Sequence, residues 1–282
     1  MFDLITAPLA YSFMQRGLLA AVMVGVVCAV VGTYVVLRGM AFFGDALSHT
    51  ILPGIAAGYL LNGGDRGALF WWALGTAVAS SLGIGAISRG SRLREDTAIG
   101  VVFAGMFALG IAMISTVRSY SADLTHFLFG DVLGVSDGDL LRIAIFGGLI
   151  LLTVALLYKE LTLISFDSVL ATTLRLPVQA LEYLLLVLIA VAVVVSIQTV
   201  GVSLMLAVLV TPAATASLLT RRLMPMLLLA AGMAAICGVV GLYLSYYLGV
   251  ASGAAIVLTC TAIFLITWAG KAIVDCRLQI AD

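Results

Sequence analysis

Charge is scarce in this sequence: only 10% of its 282 residues are Asp, Glu, Lys or Arg, against about 25% in an ordinary soluble domain. With 63% of the residues hydrophobic, a soluble fold of this size has too few charges to cover its outside. The 14 basic residues are balanced by 14 acidic ones and form no stripe, which excludes nucleic-acid binding through a basic face. The 4 cysteines show neither a CxxC pair nor a metal-ligand spacing. Cys28, Cys237 and Cys260 sit singly in apolar runs as small apolar filler, and Cys276 lies in the tail. No GxxxxGK[ST] phosphate loop, HExxH or filter-like sequence is present, so the chain cannot bind and hydrolyse ATP by the phosphate-loop route. Active transport would draw on an ion gradient or on an ATPase in another chain. Histidine occurs only twice, and two histidines with one membrane carboxylate are thin material for a hydrolytic metal enzyme. No basic region precedes the first apolar stretch, so the first 13 residues do not read as a cleavable signal.

What remains is apolar runs of membrane-crossing length. A spanning helix needs about 20 mostly apolar residues. Nine runs meet or approach this: 17–37, 40–61, 68–88, 98–117, 141–158, 180–197, 200–219, 224–248 and 250–270. They are continuous rather than alternating and rich in Ala, Leu and Gly, which excludes a barrel. The fold class is therefore all-α: one polytopic transmembrane helix bundle over 1–282, with eight or nine helices and no soluble domain. Gly83 and Gly85, or Gly147 and Gly148, are placed to let neighbouring backbones approach.

Lys and Arg favour the cytoplasmic side. With the 89–96 loop inside, ten of the fourteen basic residues fall on that side; only Arg16, Arg66, Arg118 and Arg142 fall outside. The chain then starts outside and ends in the cytoplasm. The weakest spans are 180–197 and 200–219, which Gln198 and Thr199 barely separate; if one dips without crossing, the count falls to eight. Two longer loops are expected to carry short helices packed on the bundle. They are the outer 118–139, with Asp123, His126, Asp131, Asp137 and Asp139, and the inner 159–179, ending near Pro177.

Nearly every charge sits at a helix end, and Asp45 is the exception, well inside 40–61 with His49 four residues later. Residues i and i+4 share a helix face with Cβ atoms about 5–6 Å apart, so a carboxylate and an imidazole can reach one divalent cation. A charge in the bilayer is costly, about 2.5–3.5 kcal/mol on insertion scales, which makes the pair a functional candidate. It reads as a metal site, a proton relay or a substrate contact. The plainer readings are that the two side chains satisfy each other, or that Asp45 caps a helix start after Gly44. Pro53 follows shortly, and Pro212 stands inside another apolar run with Thr199, Thr211, Thr215 and Ser217 as replacement hydrogen-bond partners. Broken helices of this kind line transport pathways or are simple kinks. The acid-rich loop around His126 reads as a solvated or docking loop, or as a cation-attracting vestibule.

Four stretches, FFGDALSHTILPG (42–54), HFLFGDVLGVS (126–136), FDSVLATTLRLP (166–177) and VGVSLMLAVLVTPAATASLL (200–219), resemble the membrane permeases of ABC importers for divalent metals of the manganese/zinc/iron group. The resemblance implies a type II importer fold in the bacterial plasma membrane. It implies a homodimer, two copies of a separate cytoplasmic ATPase and an extracytoplasmic metal-binding receptor protein. It also implies that Asp45 and His49 coordinate the transported metal and that Phe166, Asp167, Leu170 and Ala171 lie in the segment that couples to the ATPase. No cofactor is expected to be bound by the chain; the metal is cargo. The Leu-Pro-Gly after His49 is more like the manganese-type members, so Mn²⁺ is favoured, with Zn²⁺ or Fe²⁺ as the other candidates. The alternative is a secondary transporter or channel that uses Asp45 and His49 as a proton or ion relay. A membrane scaffold would need neither residue.

Overall fold

The computed structural model describes residues 8–62, 65–91, 94–115 and 132–281, and among these the secondary structure is entirely helical. In chain order the helices are α1 (Ser12–Leu37), α2 (Ala41–Thr50), α3 (Leu52–Asn62), α4 (Arg66–Gly90), α5 (Glu95–Ser115), α6 (Asp137–Leu156), α7 (Tyr158–Phe166), α8 (Ser168–Thr173), α9 (Val178–Val200), α10 (Val202–Leu219), α11 (Leu223–Leu248) and α12 (Ser252–Ala281). A short 3₁₀ turn, Val132–Gly134, precedes α6.

Eight of these helices are long and apolar enough to cross a membrane. The run expected at 40–61 is not one of them, because it is broken into two helices of 10 and 11 residues at Ile51. Pro53 supplies the reason. It has no N–H to donate to the carbonyl of His49, and its ring crowds that carbonyl. The two doubtful spans are instead uninterrupted helices, α9 and α10, and Gly201 makes the corner between them at φ 79°. Only a glycine takes that backbone conformation at little cost.

The broken pair still carries the chain from one face of the bundle to the other. At one end, Arg16 at the start of α1 pairs with Asp137 at the start of α6, at 2.9 Å. Near that end, the guanidinium of Arg142 lies 5.5 Å from the ring of Phe70, which is close to the start of α4. At the other end, Arg38 at the close of α1 meets Glu182 at the start of α9, at 3.1 Å. Helices α2 and α3 run from the Arg38 end to the α4 start, roughly 30 Å at 1.5 Å per residue. Eight unbroken helices and one broken crossing therefore reconcile the two counts.

α1 and α9 form the centre: 72% and 61% of their apolar windows are buried, against 17% for α5 and 22% for α6. α1 packs against α6, α9, α10 and α11, and α2 and α3 lie against α4 and α5. A helix that is apolar all round belongs in the core or in lipid. Close approach is concentrated at a few glycines. A Cβ at Gly32 would lie 2.8 Å from the backbone carbonyl carbon of Leu209, and one at Gly44 would lie 2.5 Å from its Cδ2. Leu209 of α10 is thus wedged between α1 and α2. Of the pairs singled out by sequence, Gly85 and Gly147 approach neighbouring side chains, whereas Gly83 and Gly148 face open space in a single copy.

Candidate functional site

Helix α2 is two-faced. Phe43, Gly44, Ala46, Leu47, Ser48 and Thr50 are buried against the bundle, while Asp45 and His49 share a face that is only partly covered, 32% and 31% exposed. Asp45 is inside the helix, so it is not a cap; Met40 takes that position. Asp45 Oδ1 stands 3.7 Å from His49 Nε2. That is beyond hydrogen-bonding distance, so the two groups lie side by side without satisfying each other.

The imidazole is fixed by aromatic rings from α5. His49 meets Phe103 edge-on at 5.7 Å and Phe107 at 5.4 Å, and those two rings stack on each other at 5.8 Å. Edge-to-face contacts of this kind set a ring plane as well as burying it. The break at Ile51 lies two residues beyond His49, so the pair sits close to the last turn of α2. Counting along the chain from Arg38, it lies between the bundle's middle and the Arg38 end.

One carboxylate oxygen and one imidazole nitrogen are two ligands, and among the described residues no third His, Cys, Asp or Glu joins them. A divalent cation of the Mn²⁺, Fe²⁺ or Zn²⁺ type takes four to six ligands. One copy therefore offers an open half-site, on a partly exposed face.

Asp167 ends α7 and begins α8, and its side chain accepts a hydrogen bond from the Leu170 amide at 2.9 Å. It is an N-cap for a six-residue helix that would otherwise be marginal. Ala171 is buried, whereas Phe166 and Leu170 are 58% and 47% exposed and are joined by exposed Val169 and Leu174. These four apolar side chains stand at the Arg38 end of the bundle, where an ordinary surface would be polar. The inner 159–179 segment is thus two short helices rather than one.

Pro212 is buried within an unbroken α10, beside partly buried Thr211. The hydroxyls expected to compensate for it do other work. Thr215 donates to the Thr211 carbonyl at 2.7 Å, Ser217 to Ala214 and Thr199 to Val195 and Ser196. None reaches the Val208 carbonyl, the one that Pro212 releases. Asp123, His126 and Asp131, with most of the outer loop, lie outside the described residues.

Sequence reasoning missed Phe103 and Phe107, which look like any apolar residues in a span, and Glu182. The signal for Glu182 was present: it is an acid placed within the 180–197 run. Both Arg38 and Arg89 reach it.

The model of the ABC 3 transport family matches residues 10–271. The manganese transport system membrane protein MntC of Halalkalibacterium halodurans is 44% identical over 197 residues, 70% of this chain; the match spans 66% of that relative, just short of two thirds of its length. The chelated iron transport system membrane protein YfeD of Yersinia pestis is 40% identical over 205 residues, 73% of this chain and 67% of its own. Among solved structures, PsaBC from Streptococcus pneumoniae in complex with Fab superposes with a TM-score of 0.81 at 38% identity, covering 95% of both chains.

Proposed function

Because this chain belongs to the ABC 3 transport family, we propose that it is the transmembrane permease of an ATP-driven importer of divalent metal ions, with Mn²⁺ as the favoured cargo. The observation that carries this reading is the Asp45/His49 half-site on the open face of a broken helix inside a membrane-spanning bundle. The relatives named for manganese and for chelated iron support the cargo class.

A hydrated cation arriving from outside exchanges some of its waters for a carboxylate oxygen of Asp45 and Nε2 of His49. A second copy of the chain, facing the first across the open side of α2, supplies the matching pair and completes an N₂O₂ set. Oxygen and imidazole nitrogen suit Mn²⁺, Fe²⁺ and Zn²⁺ and leave Cu(I) without the sulfur it prefers. Zn²⁺ binds such a set more tightly than Mn²⁺, so a manganese importer relies on its receptor for choice. The exposed apolar residues Phe166, Val169, Leu170 and Leu174 dock the cytoplasmic ATPase. The Arg38 end is then the cytoplasmic one, as the basic residues require. ATP hydrolysis belongs to that partner, since this sequence has no phosphate loop.

The test is metal uptake by the permease assembled with its ATPase in vesicles. Asp45→Ala and His49→Ala are each expected to abolish saturable Mn²⁺ uptake at normal membrane abundance, and vanadate is expected to block the wild type. Normal uptake by both variants would sink the site. Uptake by this chain alone, collapsed by an uncoupler, would make it a secondary transporter.

A further inference from the structure

Four charged residues from four helices meet at the Arg38 end of the bundle. Glu182, in the first turns of α9, places Oε1 3.1 Å from Arg38 Nη2 and its other oxygen against Arg89 Nη2. Glu95, the first residue of α5, stands 4.0 Å from the same Arg38 nitrogen. The Arg89 guanidinium also lies 4.5 Å above the Tyr183 ring. Arg38 and Glu182 are only 12% and 19% exposed, so water screens this cluster much less than a surface ion pair.

Its place in the chain gives it more than a packing role. Glu182 follows the α7–α8 segment after only the Leu174–Pro177 turn and the first four residues of α9, and backbone bonds tighten that turn: the Leu176 amide donates to the Ala171 carbonyl at 3.1 Å and the Val178 amide to the Leu176 carbonyl at 2.8 Å. Arg38 closes α1, and after Gly39 and Met40 the chain is already in α2, the helix of Asp45 and His49. Met40 and Phe43 of that chain segment share a cavity of about 80 Å³ with Arg38, Arg89, Glu95 and Glu182. Arg89 Nη1 is buried without a hydrogen-bond partner among the described residues. The guanidinium therefore has a donor not engaged by the described residues, and Arg89 lines the same small cavity.

We propose that Glu182 is a positioning residue for transport: by holding Arg38 and Arg89 on its two oxygens, it joins the helix that follows the α7–α8 segment to the turn that starts the Asp45/His49 helix, so that movement of one reaches the other. This rests on the function proposed above. Among the described residues, the ion pairs of the clasp include neither Asp45 nor His49. Breaking it uncouples the two ends and leaves each end's own chemistry in place.

The test uses the whole complex, permease with its ATPase in proteoliposomes, and measures Mn²⁺ uptake and ATP hydrolysis in the same vesicles, with Mn²⁺ binding measured on the purified complex. Glu182→Gln is expected to raise the ATP hydrolysed per Mn²⁺ imported by about tenfold or more, with Mn²⁺ binding within about twofold of wild type. Glu182→Asp, which keeps the charge, is expected to recover most of the coupling. If Glu182→Gln does not reach the membrane, Arg89→Gln removes one arm of the clasp and is read in the same way. An unchanged ratio, with wild-type uptake intact, overturns this proposal alone. So does a parallel fall in binding, hydrolysis and uptake, which would mark Glu182 as merely structural. Absence of ATP-driven uptake by the wild-type complex overturns the proposed function and this proposal with it.

Discussion

His49 and Asp45 share a helix face but are held differently. Asp45 has room on one side, while the imidazole is braced by the edges of Phe103 and Phe107. An aromatic contact of this geometry contributes about 0.5–1.5 kcal/mol beyond the area it buries. If those rings hold Nε2 in the direction of an incoming cation, Phe107→Ala leaves both ligands in place but lets the imidazole turn. The expected result is a rise of about threefold to tenfold in the half-saturating Mn²⁺ concentration for uptake, with the maximal rate little changed. An unchanged half-saturation would show that the rings only fill space. The i,i+4 pair was legible in the sequence because its spacing is local and its polarity stands out against apolar neighbours. The phenylalanines were not, because a ring that braces a histidine and a ring that meets lipid are the same residue in an apolar run.

Among the helices, α2, α1 and α10 are bound together at a single residue. Leu209 lies in a slot formed by Gly32 and Gly44, so the helix carrying Asp45 and His49 rests directly on α10. Overpacking a close contact costs about 1–3 kcal/mol when side chains can yield, and here the obstacle at Gly32 is backbone, which cannot. Gly32→Val is therefore expected to lower the melting temperature of the purified protein sharply or prevent its recovery. Gly83→Val, which meets nothing within 4 Å, is expected to leave the melting temperature of a single copy unchanged. Equal behaviour of the two variants in detergent would contradict the slot. Pro212, one turn beyond Leu209 on α10, has no N–H to offer the Val208 carbonyl close to the same contact. The sequence marked the proline and with it the carbonyl it cannot serve; that Thr199, Thr215 and Ser217 donate elsewhere is shown only by the fold.

At the scale of the molecule, the broken α2–α3 pair decides the topology. If it crosses, residues before α1 and residues before α4 share one face, and the α4–α5 turn lies on the other. In a background without reactive cysteines, Tyr11→Cys and Asp65→Cys are expected to react with an impermeant maleimide in intact cells, and Ser91→Cys only after permeabilisation. Labelling of Tyr11→Cys and Asp65→Cys from opposite faces would mean that the pair turns back inside the membrane. Composition and hydropathy were enough to establish a helical membrane protein, the place of nearly every span and the one carboxylate–histidine pair within them. These follow from the cost of exposing polar backbone and charge to lipid, a cost each segment meets by itself. Pro53 is the local cause of the break at Ile51, whereas tertiary structure alone decided that His49 is braced by α5 and that one glutamate serves two arginines. Glu182 lies 144 residues from Arg38 and 93 from Arg89. No local pattern relates residues so far apart, and only the packing of α1, α4 and α9 brings them within reach of one another.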